Sequence, residues 1–485
     1  MELARLAGDW AGGGSRSAGL AEVVASAIAE GRLPPGVRLP AERTLATQLG
    51  VSRNTVVAAY DRLRQGGLVR TRQGSGTVVG GPGEPGAGPR EARMARTLLP
   101  NGIFDGVLGT DEGGTDLRAA YWVGADELPP GAFALDEVGV RDLVGGHGYS
   151  PAGIAGLREA FAARLTSRGL ATAADQVIVT SGAQQALSLV VHYVVDPGDR
   201  VLVEDPTYPG MIEALLAAGA DVGGVPRSRQ GLDLAALRTQ LARRAPRLVY
   251  LLPTVHNPLG TTIPGPDRAL LVRALRPAPL VVEDLTLADT ELRPTGWRPL
   301  AADAERDGGP PVITVGSLSK SMWGGLRVGW LRGPRALVQR LTRMKAIHDI
   351  GSSIPSQVIA LRLLAHEAEI TERRRQAVAR RLAALQSLLD EQLPGWTWQE
   401  PTGGLSLWVR IGEVSAIDFA AFATRYGVAV APGPLSSPTA SHCDHLRLPY
   451  GQPVPVLEAG VARLAAAWRD YTRRLRPSDA VSVVL

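Results

Sequence analysis

Lys320 lies in the run Ser317-Leu318-Ser319-Lys320-Ser321-Met322-Trp323-Gly324-Gly325-Leu326-Arg327 and is one of only two lysines, with Lys345, among 52 basic residues. Arginine is therefore the default cation of this chain. A surface charge or a phosphate contact can be served by arginine, whereas an amine that must lose its proton and attack a carbonyl has to be a lysine. The alternative is a solvated loop lysine, and scarcity alone leaves the two readings balanced. The flanking hydroxyls and Arg327 shift the balance, because they can surround a phosphate beside the amine. A Schiff-base lysine next to a phosphate site points to pyridoxal 5'-phosphate.

The elements that would carry such a site lie beyond about Phe104, where apolar strands alternate with amphipathic helical stretches. Strands are read at Gln176 to Thr180, Arg200 to Glu204, Leu248 to Leu252, Leu280 to Glu283 and Val312 to Val315. This alternation predicts an α/β layer on a largely parallel sheet, with the ligand site at the strand C-terminal ends. The first strand runs into Ser181-Gly182-Ala183-Gln184, a small-residue turn that opens a helix and whose free N–H groups can hold a phosphate. The second leads to Asp205-Pro206-Thr207-Tyr208, with Tyr208 either stacked on a flat cofactor or packed in the core. The third is followed by His256-Asn257-Pro258, which brings the Asn257 amide to a strand end; His256 is either a proton carrier beside the ring or packing behind it. The fourth ends on Glu283-Asp284, and a carboxylate there keeps a pyridine nitrogen protonated, strengthening the ring as an electron sink. The fifth delivers Lys320.

The first eighty residues carry ten arginines against six acids, so most of the chain's net charge of +5 sits at this end and a polyanion partner is expected there. Leu20 to Glu30 has helical apolar spacing. A short helix is expected from about Ala41 to Leu49, after which Gly50 turns the chain and Ser52 caps a third helix with Val56, Tyr60 and Leu63 on one face. Helix, glycine turn and capped helix make a helix-turn-helix, with Arg53, Asn54 and Thr55 at the end that enters a major groove. Leu68 to Val79 then alternates about Gly74-Ser75-Gly76 as a basic hairpin, suited to a wing.

This stretch resembles the winged helix-turn-helix of GntR-type transcription regulators, on Gly36-Val37-Arg38-Leu39-Pro40-Ala41-Glu42-Arg43, Gly50-Val51-Ser52-Arg53-Asn54-Thr55-Val56 and Gly74-Ser75-Gly76. The resemblance implies that Arg43, Ser52, Arg53, Asn54, Thr55 and Gly74 meet double-stranded DNA; the alternative for the arginines is a solvated helix face. The strand-end motifs resemble a fold-type-I, aspartate-aminotransferase-like domain, and the two parts together resemble the MocR family of regulators from about residue 20 to about 470. The expected architecture is multidomain. It comprises a winged helix-turn-helix over 1–80, a Gly/Pro-rich linker over 81–103, a large α/β cofactor-binding domain with a mostly parallel sheet over 104–370, a smaller α+β domain over 371–475 and a tail over 476–485.

The same resemblance implies that Lys320 carries the internal aldimine of pyridoxal 5'-phosphate, Asp284 pairs with the pyridine nitrogen, Asn257 bonds the ring hydroxyl and Tyr208 stacks on the ring. Gly182, Ala183, Gln184, Ser317, Ser319 and Arg327 would form a phosphate cup, with Tyr149 reaching a phosphate across a dimer interface. Arg447, in His445-Leu446-Arg447-Leu448-Pro449, would grip a carboxylate with its planar fork. One position departs from the pattern: Thr286 stands where many relatives carry a tyrosine, which bears on catalytic efficiency rather than on cofactor binding.

Hydrophobic content of 45% and charged content of 20% are those of a globular protein. The single Cys443 excludes an intrachain disulfide and a cysteine-based zinc site, and fits a reducing cytoplasm. Val177 to Val195 is uncharged but is broken by Ser181-Gly182 and interrupted by Gln184, Gln185 and His192, so no membrane span is expected. Leu382, Leu385, Leu388, Leu389 and Leu393 mark a long amphipathic helix expected in the small-domain core. Three functions are open: a regulator whose body senses a small amine, amino acid or vitamer through external aldimine formation at Lys320, an active aminotransferase fused to a DNA reader, and a DNA-binding dimer with a merely structural second body. Thr286 and the reader favour the first, and the family resemblance implies a homodimer, whose two readers would recognise paired half-sites.

Overall fold

In the computed structural model, residues 16–29, 33, 37, 39–49, 51–65, 68–72, 76–79, 114–122, 127–131, 133–135, 144–228, 231–243 and 245–475 are described. The chain divides into two units, 1–99 and 100–485. The expected linker, the wing residue Gly74 and the tail over 476–485 lie outside the described residues.

The first unit holds helices Arg16–Ala29, Glu42–Leu49 and Arg53–Gln65, followed by a hairpin of β1 (Val69–Arg72) and β2 (Gly76–Val79). Its apolar spacing closes one small core, in which Leu20, Val24, Leu45, Val56, Tyr60 and Leu63 are buried. Ser52 caps the third helix: its Oγ accepts the Thr55 N–H at 3.1 Å. The hairpin is antiparallel, with Val69 opposite Val79. It is tied to the rest of the unit by Leu39 N–H to the Thr77 carbonyl and Val79 N–H to the Val37 carbonyl, both 2.8 Å.

The second unit contains two sheets. Its strands in chain order are β3 (Thr115–Leu117), β4 (Val177–Thr180), β5 (Arg200–Asp205), β6 (Asp221–Ser228), β7 (Gly231–Leu232), β8 (Leu248–Leu251), β9 (Val281–Asp284), β10 (Val312–Ser317), β11 (Gly329–Arg332), β12 (Thr397–Trp398), β13 (Ser406–Arg410), β14 (Val428–Pro432) and β15 (His445–Pro449). The larger sheet has the order β4-β11-β10-β9-β8-β5-β6-β7. It is parallel from β10 through β6, while β11 runs antiparallel between β10 and β4. All five strands read from the sequence are present. β6, β7 and β11 are additional.

Helices cover both faces of this sheet, and β8, β9, β10 and β11 are buried along their whole lengths, as central strands covered on two sides must be; the edge strand β4 is buried as well. The smaller sheet has the order β12-β13-β15-β14-β3 and packs on helices Glu367–Gln392, Ala416–Ala423 and Val454–Leu475. Leu382, Leu385, Leu389 and Leu393 are buried in that core and Leu388 packs at its edge. The sequence places Thr115–Leu117 with the larger domain, yet β3 joins the smaller sheet, running parallel to β14. No helix among the described residues is long and apolar enough to cross a membrane.

Candidate functional site

The turn after β4 is set by glycine at two points. Gly182 caps the helix Ala183–Val194 at φ +89°, a conformation that disfavours a side chain. Gly329 on β11 lies so close that a Cβ there would come within 2.5 Å of the Gly182 carbonyl carbon. The first N–H groups of that helix have no intrahelical acceptor and suit an anion. Arg327, itself at φ +51°, donates from Nη2 to the Ser181 carbonyl at 2.6 Å and so stands beside the turn. Ser317 Oγ donates to Ser319 Oγ at 3.0 Å, bringing both hydroxyls to the end of β10.

The two acids that end β9 face opposite ways, as alternate strand residues do. Glu283 accepts from the N–H groups of Leu300 and Ala301, at 2.5 and 3.1 Å, and so caps the helix Leu300–Asp307. Burial pushes its carboxyl up to about 7, against the opposing effects of Arg268 and those two N–H groups. Asp284 turns to the cavity. It accepts the Tyr250 hydroxyl at 2.7 Å and the Thr286 N–H at 2.8 Å. Burial raises its pKa, while hydrogen bonds from Thr286 and Tyr250 work the other way.

Lys320 and Arg447 line the same cavity, of about 300 Å³, with Ala183, Tyr208, Asn257, Asp284, Thr286, Ser319 and Arg327. Burial foremost, then the charges of Arg447 and Arg327, pull the Lys320 amine down to about 8. Burial likewise lowers Arg447 to about 10, opposed by Tyr208, whose phenol burial pushes up to about 12. One segment accepts a hydrogen bond from each cation. Lys320 Nζ donates to the Ala120 carbonyl at 2.6 Å and Arg447 Nη2 to the Arg118 carbonyl at 2.5 Å. This strap, Arg118 to Tyr121, follows β3 directly and forms one wall of the cavity through Ala119, Ala120 and Tyr121.

Not every expected residue reaches the cavity with its side chain. Gln184 instead accepts the Tyr208 hydroxyl at 3.0 Å and donates to the Gly210 carbonyl at 2.9 Å, steadying the ring expected to stack. Ser317 stands behind Ser319, and Tyr149 is 62% exposed, stacked on His147 and not part of the cavity lining of its own chain. His256 is buried outside the cavity lining, its pKa driven well below the ordinary value by burial and then by Arg227. Of its two readings, packing behind the Asn257 turn is the one this geometry fits. Neither Tyr250 nor the strap carbonyls can be picked out in the sequence: Tyr250 reads as one more core residue of β8, and a backbone carbonyl leaves no mark in a sequence.

In the first unit Ser52, Arg53 and Thr55 are clustered at the start of the third helix, with the Ser52 and Thr55 hydroxyls 2.8 Å apart. Arg53 is exposed and pairs with Glu42 at 3.0 Å. Arg43 and Asn54 lie on helices Glu42–Leu49 and Arg53–Gln65; their side chains are outside the described residues.

A capped reading helix with a hairpin wing, joined to a doubly covered α/β sheet with a lysine at a strand end, defines a DNA-binding module fused to an aminotransferase-like body. Residues 134–463 match the aminotransferase class I and II family, and residues 17–79 match the bacterial regulatory proteins of the gntR family. The chain belongs to the MocR-like regulators, in which a GntR helix-turn-helix is fused to such a domain. It is 29% identical to the HTH-type transcriptional regulator TauR of Rhodobacter capsulatus, over 94% of this chain and 97% of TauR. It is 32% identical to the probable rhizopine catabolism regulatory protein MocR of Rhizobium meliloti, over 67% of this chain and 66% of that protein. The body is similar to the α-aminoadipate aminotransferase LysN of Thermus thermophilus, solved with N-(5'-phosphopyridoxyl)-L-leucine, at TM-score 0.71 and 28% identity, over 79% of this chain and 97% of LysN.

The class I and II fold is pyridoxal-phosphate-dependent. The residues present here fit that group. Asn257 Oδ1 and Arg447 Nε are buried without a hydrogen-bond partner among the described residues, and a Cβ at Gly182 would crowd the Arg327 guanidinium at 2.9 Å.

Proposed function

We propose that the body holds pyridoxal 5'-phosphate and that the chain, as a homodimer on double-stranded DNA, senses a small primary amine bearing a carboxylate. When bound, the cofactor supplies an aldehyde that condenses reversibly with primary amines. The observation that carries the reading is the pairing of two unlike cations across one cavity. Lys320 has a sizeable neutral fraction near neutral pH, and Arg447 is a buried guanidinium with no carboxylate beside it among the described residues. Lys320 is the amine that an effector amine replaces, and Arg447 receives the effector carboxylate. Asp284 stands for the pyridine nitrogen, Asn257 for the ring hydroxyl and Tyr208 for the ring face. The turn Gly182-Ala183-Gln184 with Ser319 and Arg327 serves the phosphate, and Ser317 holds Ser319 in place. An exposed Tyr149 that does not line its own cavity supports a contribution to the partner's cup.

An effector that takes up both cations releases two carbonyls of one strap, which follows the stretch leading back to the reader. Regulation requires only that the strap-held and strap-released states differ in ligand affinity, by roughly 1–3 kcal/mol in a typical coupled system. The test is DNA binding and cofactor absorbance for wild type and Lys320→Ala, with and without pyridoxal 5'-phosphate and a panel of amines and amino acids. Wild type is expected to change both signals with an amino acid, and Lys320→Ala neither. DNA binding indifferent to cofactor and amines alike sinks the sensing mechanism. The depressed Lys320 pKa equally suits a proton carrier in transamination, so steady turnover of amino donor and keto acid, at roughly 1 per second or faster, would move the reading to an enzyme.

A further inference from the structure

The second lysine is the more deeply placed of the two. Lys345 lies on the helix Arg335–Asp349, fully buried and outside the cavity lining. Its Nζ donates to both carboxylate oxygens of Asp349, at 2.9 and 3.0 Å. Asp349 Oδ2 also accepts from Gln185 Nε2 at 2.6 Å, and Gln185 Oε1 accepts the backbone N–H of Ser181 at 2.7 Å. Ser181 is the residue before Gly182. Its carbonyl takes the Arg327 guanidinium at 2.6 Å and its hydroxyl lies 3.2 Å from that of Ser352. A continuous run of hydrogen bonds therefore leads from a buried ammonium to the turn beside the cavity.

Helix stability does not account for the pair. The base precedes the acid by four residues, the weaker orientation for such pairs, and Asp349 ends its helix, where a carboxylate opposes the helix dipole. Burying an ammonium is costly unless a partner offsets the lost hydration. In a chain that otherwise uses arginine, a compact point charge has been kept at this spot.

We infer that Lys345 is a positioning residue for phosphate recognition. Through Asp349 and Gln185 it holds the Ser181 N–H away from the cavity, so that the N–H groups of the following turn stay presented to a phosphate. Asp349 orients the Gln185 amide, and that amide orients the peptide shared by Thr180 and Ser181. The inference rests on the proposal that this body binds pyridoxal 5'-phosphate, and it assigns the network to the phosphate end of that ligand alone.

The test compares affinities of the full-length apoprotein for pyridoxal 5'-phosphate and for unphosphorylated pyridoxal, in wild type, Lys345→Met and Asp349→Asn. Wild type should prefer the phosphorylated form. In the variants that preference is expected to fall about tenfold, as for loss of one charge-assisted hydrogen bond, with pyridoxal affinity within about twofold of wild type. A general loss of packing would weaken both ligands together. If Lys345→Met does not fold, Gln185→Leu interrupts the same run at a half-buried residue and is read in the same way. An unchanged preference in a folded variant overturns the role of Lys345. A wild type that binds neither form, or both equally, overturns the cofactor reading itself, and the two failures are told apart by the wild-type titration.

Discussion

Arg53 in the reader keeps 55% of its side-chain surface in water and shares its charge with Glu42, whereas Arg447 in the body is 3% exposed and held by a backbone carbonyl. A solvated cation interacts weakly, additively and under salt screening. A buried one is unscreened and acts strongly on whatever polar group joins it. The reader can thus locate a polyanion through many small contacts. The body can tell one small ligand from another through very few, because each buried charge left unmatched is unfavourable.

That contrast is open to breakage, most severely at Arg447. Arg447→Gln is expected to weaken an α-amino acid effector by roughly tenfold to a hundredfold, the value of a charge-assisted pair. A simple amine of the same length should bind within about twofold of wild type. Equal losses for both ligands in an absorbance titration would place the carboxylate elsewhere.

A smaller effect is expected from pH. Burial, Arg447 and Arg327 hold Lys320 at about 8 instead of its ordinary 10.5. For a base with a lowered pKa the neutral amine prevails above that value and is depleted about tenfold per pH unit below it. The rate at which apoprotein captures pyridoxal 5'-phosphate should therefore climb to a plateau just above pH 8. A plateau delayed to near pH 10 would describe a solvated lysine. The smallest effect belongs to the reader: Arg53→Ala should lower the slope of log DNA affinity against log salt by about one and leave the effector's absorbance change alone. A spectral change in that variant would dissolve the distinction between the two settings.

Much of the site can be read from the sequence because its side chains follow apolar strands and sit in turns, where composition changes abruptly. Tyr208, Asn257, Asp284 and Lys320 all line the cavity and all come from such ends. What stays hidden has physical reasons. β6 contains Gly223, Gly224 and Pro226, which argue against a strand, yet the glycines leave room for Arg200 and Asp205 to lie across it. The strap acts through peptide carbonyls 200 and 329 residues from the cations they hold, so neither spacing nor residue type announces it. Thr286 is legible as a departure, but its backbone bond to Asp284 is not.

Glu283 and Asp284 also fix how β9 lies in its sheet. The strand runs parallel between β8 and β10, and its four residues are all buried. Val281 enters one core cluster and Val282 another, so apolar matching alone would tolerate a slide by one residue. The acids would not. A slide would carry the Glu283 carboxylate toward the cavity and Asp284 toward the helix Leu300–Asp307, where a side chain shorter by one methylene must reach the N–H groups of Leu300 and Ala301. Tyr250 would lose its acceptor as well. Two adjacent carboxylates anchored on opposite faces thus key the strand into a single alignment, and the dipeptide that turns Asp284 to the cavity also decides the register of the sheet.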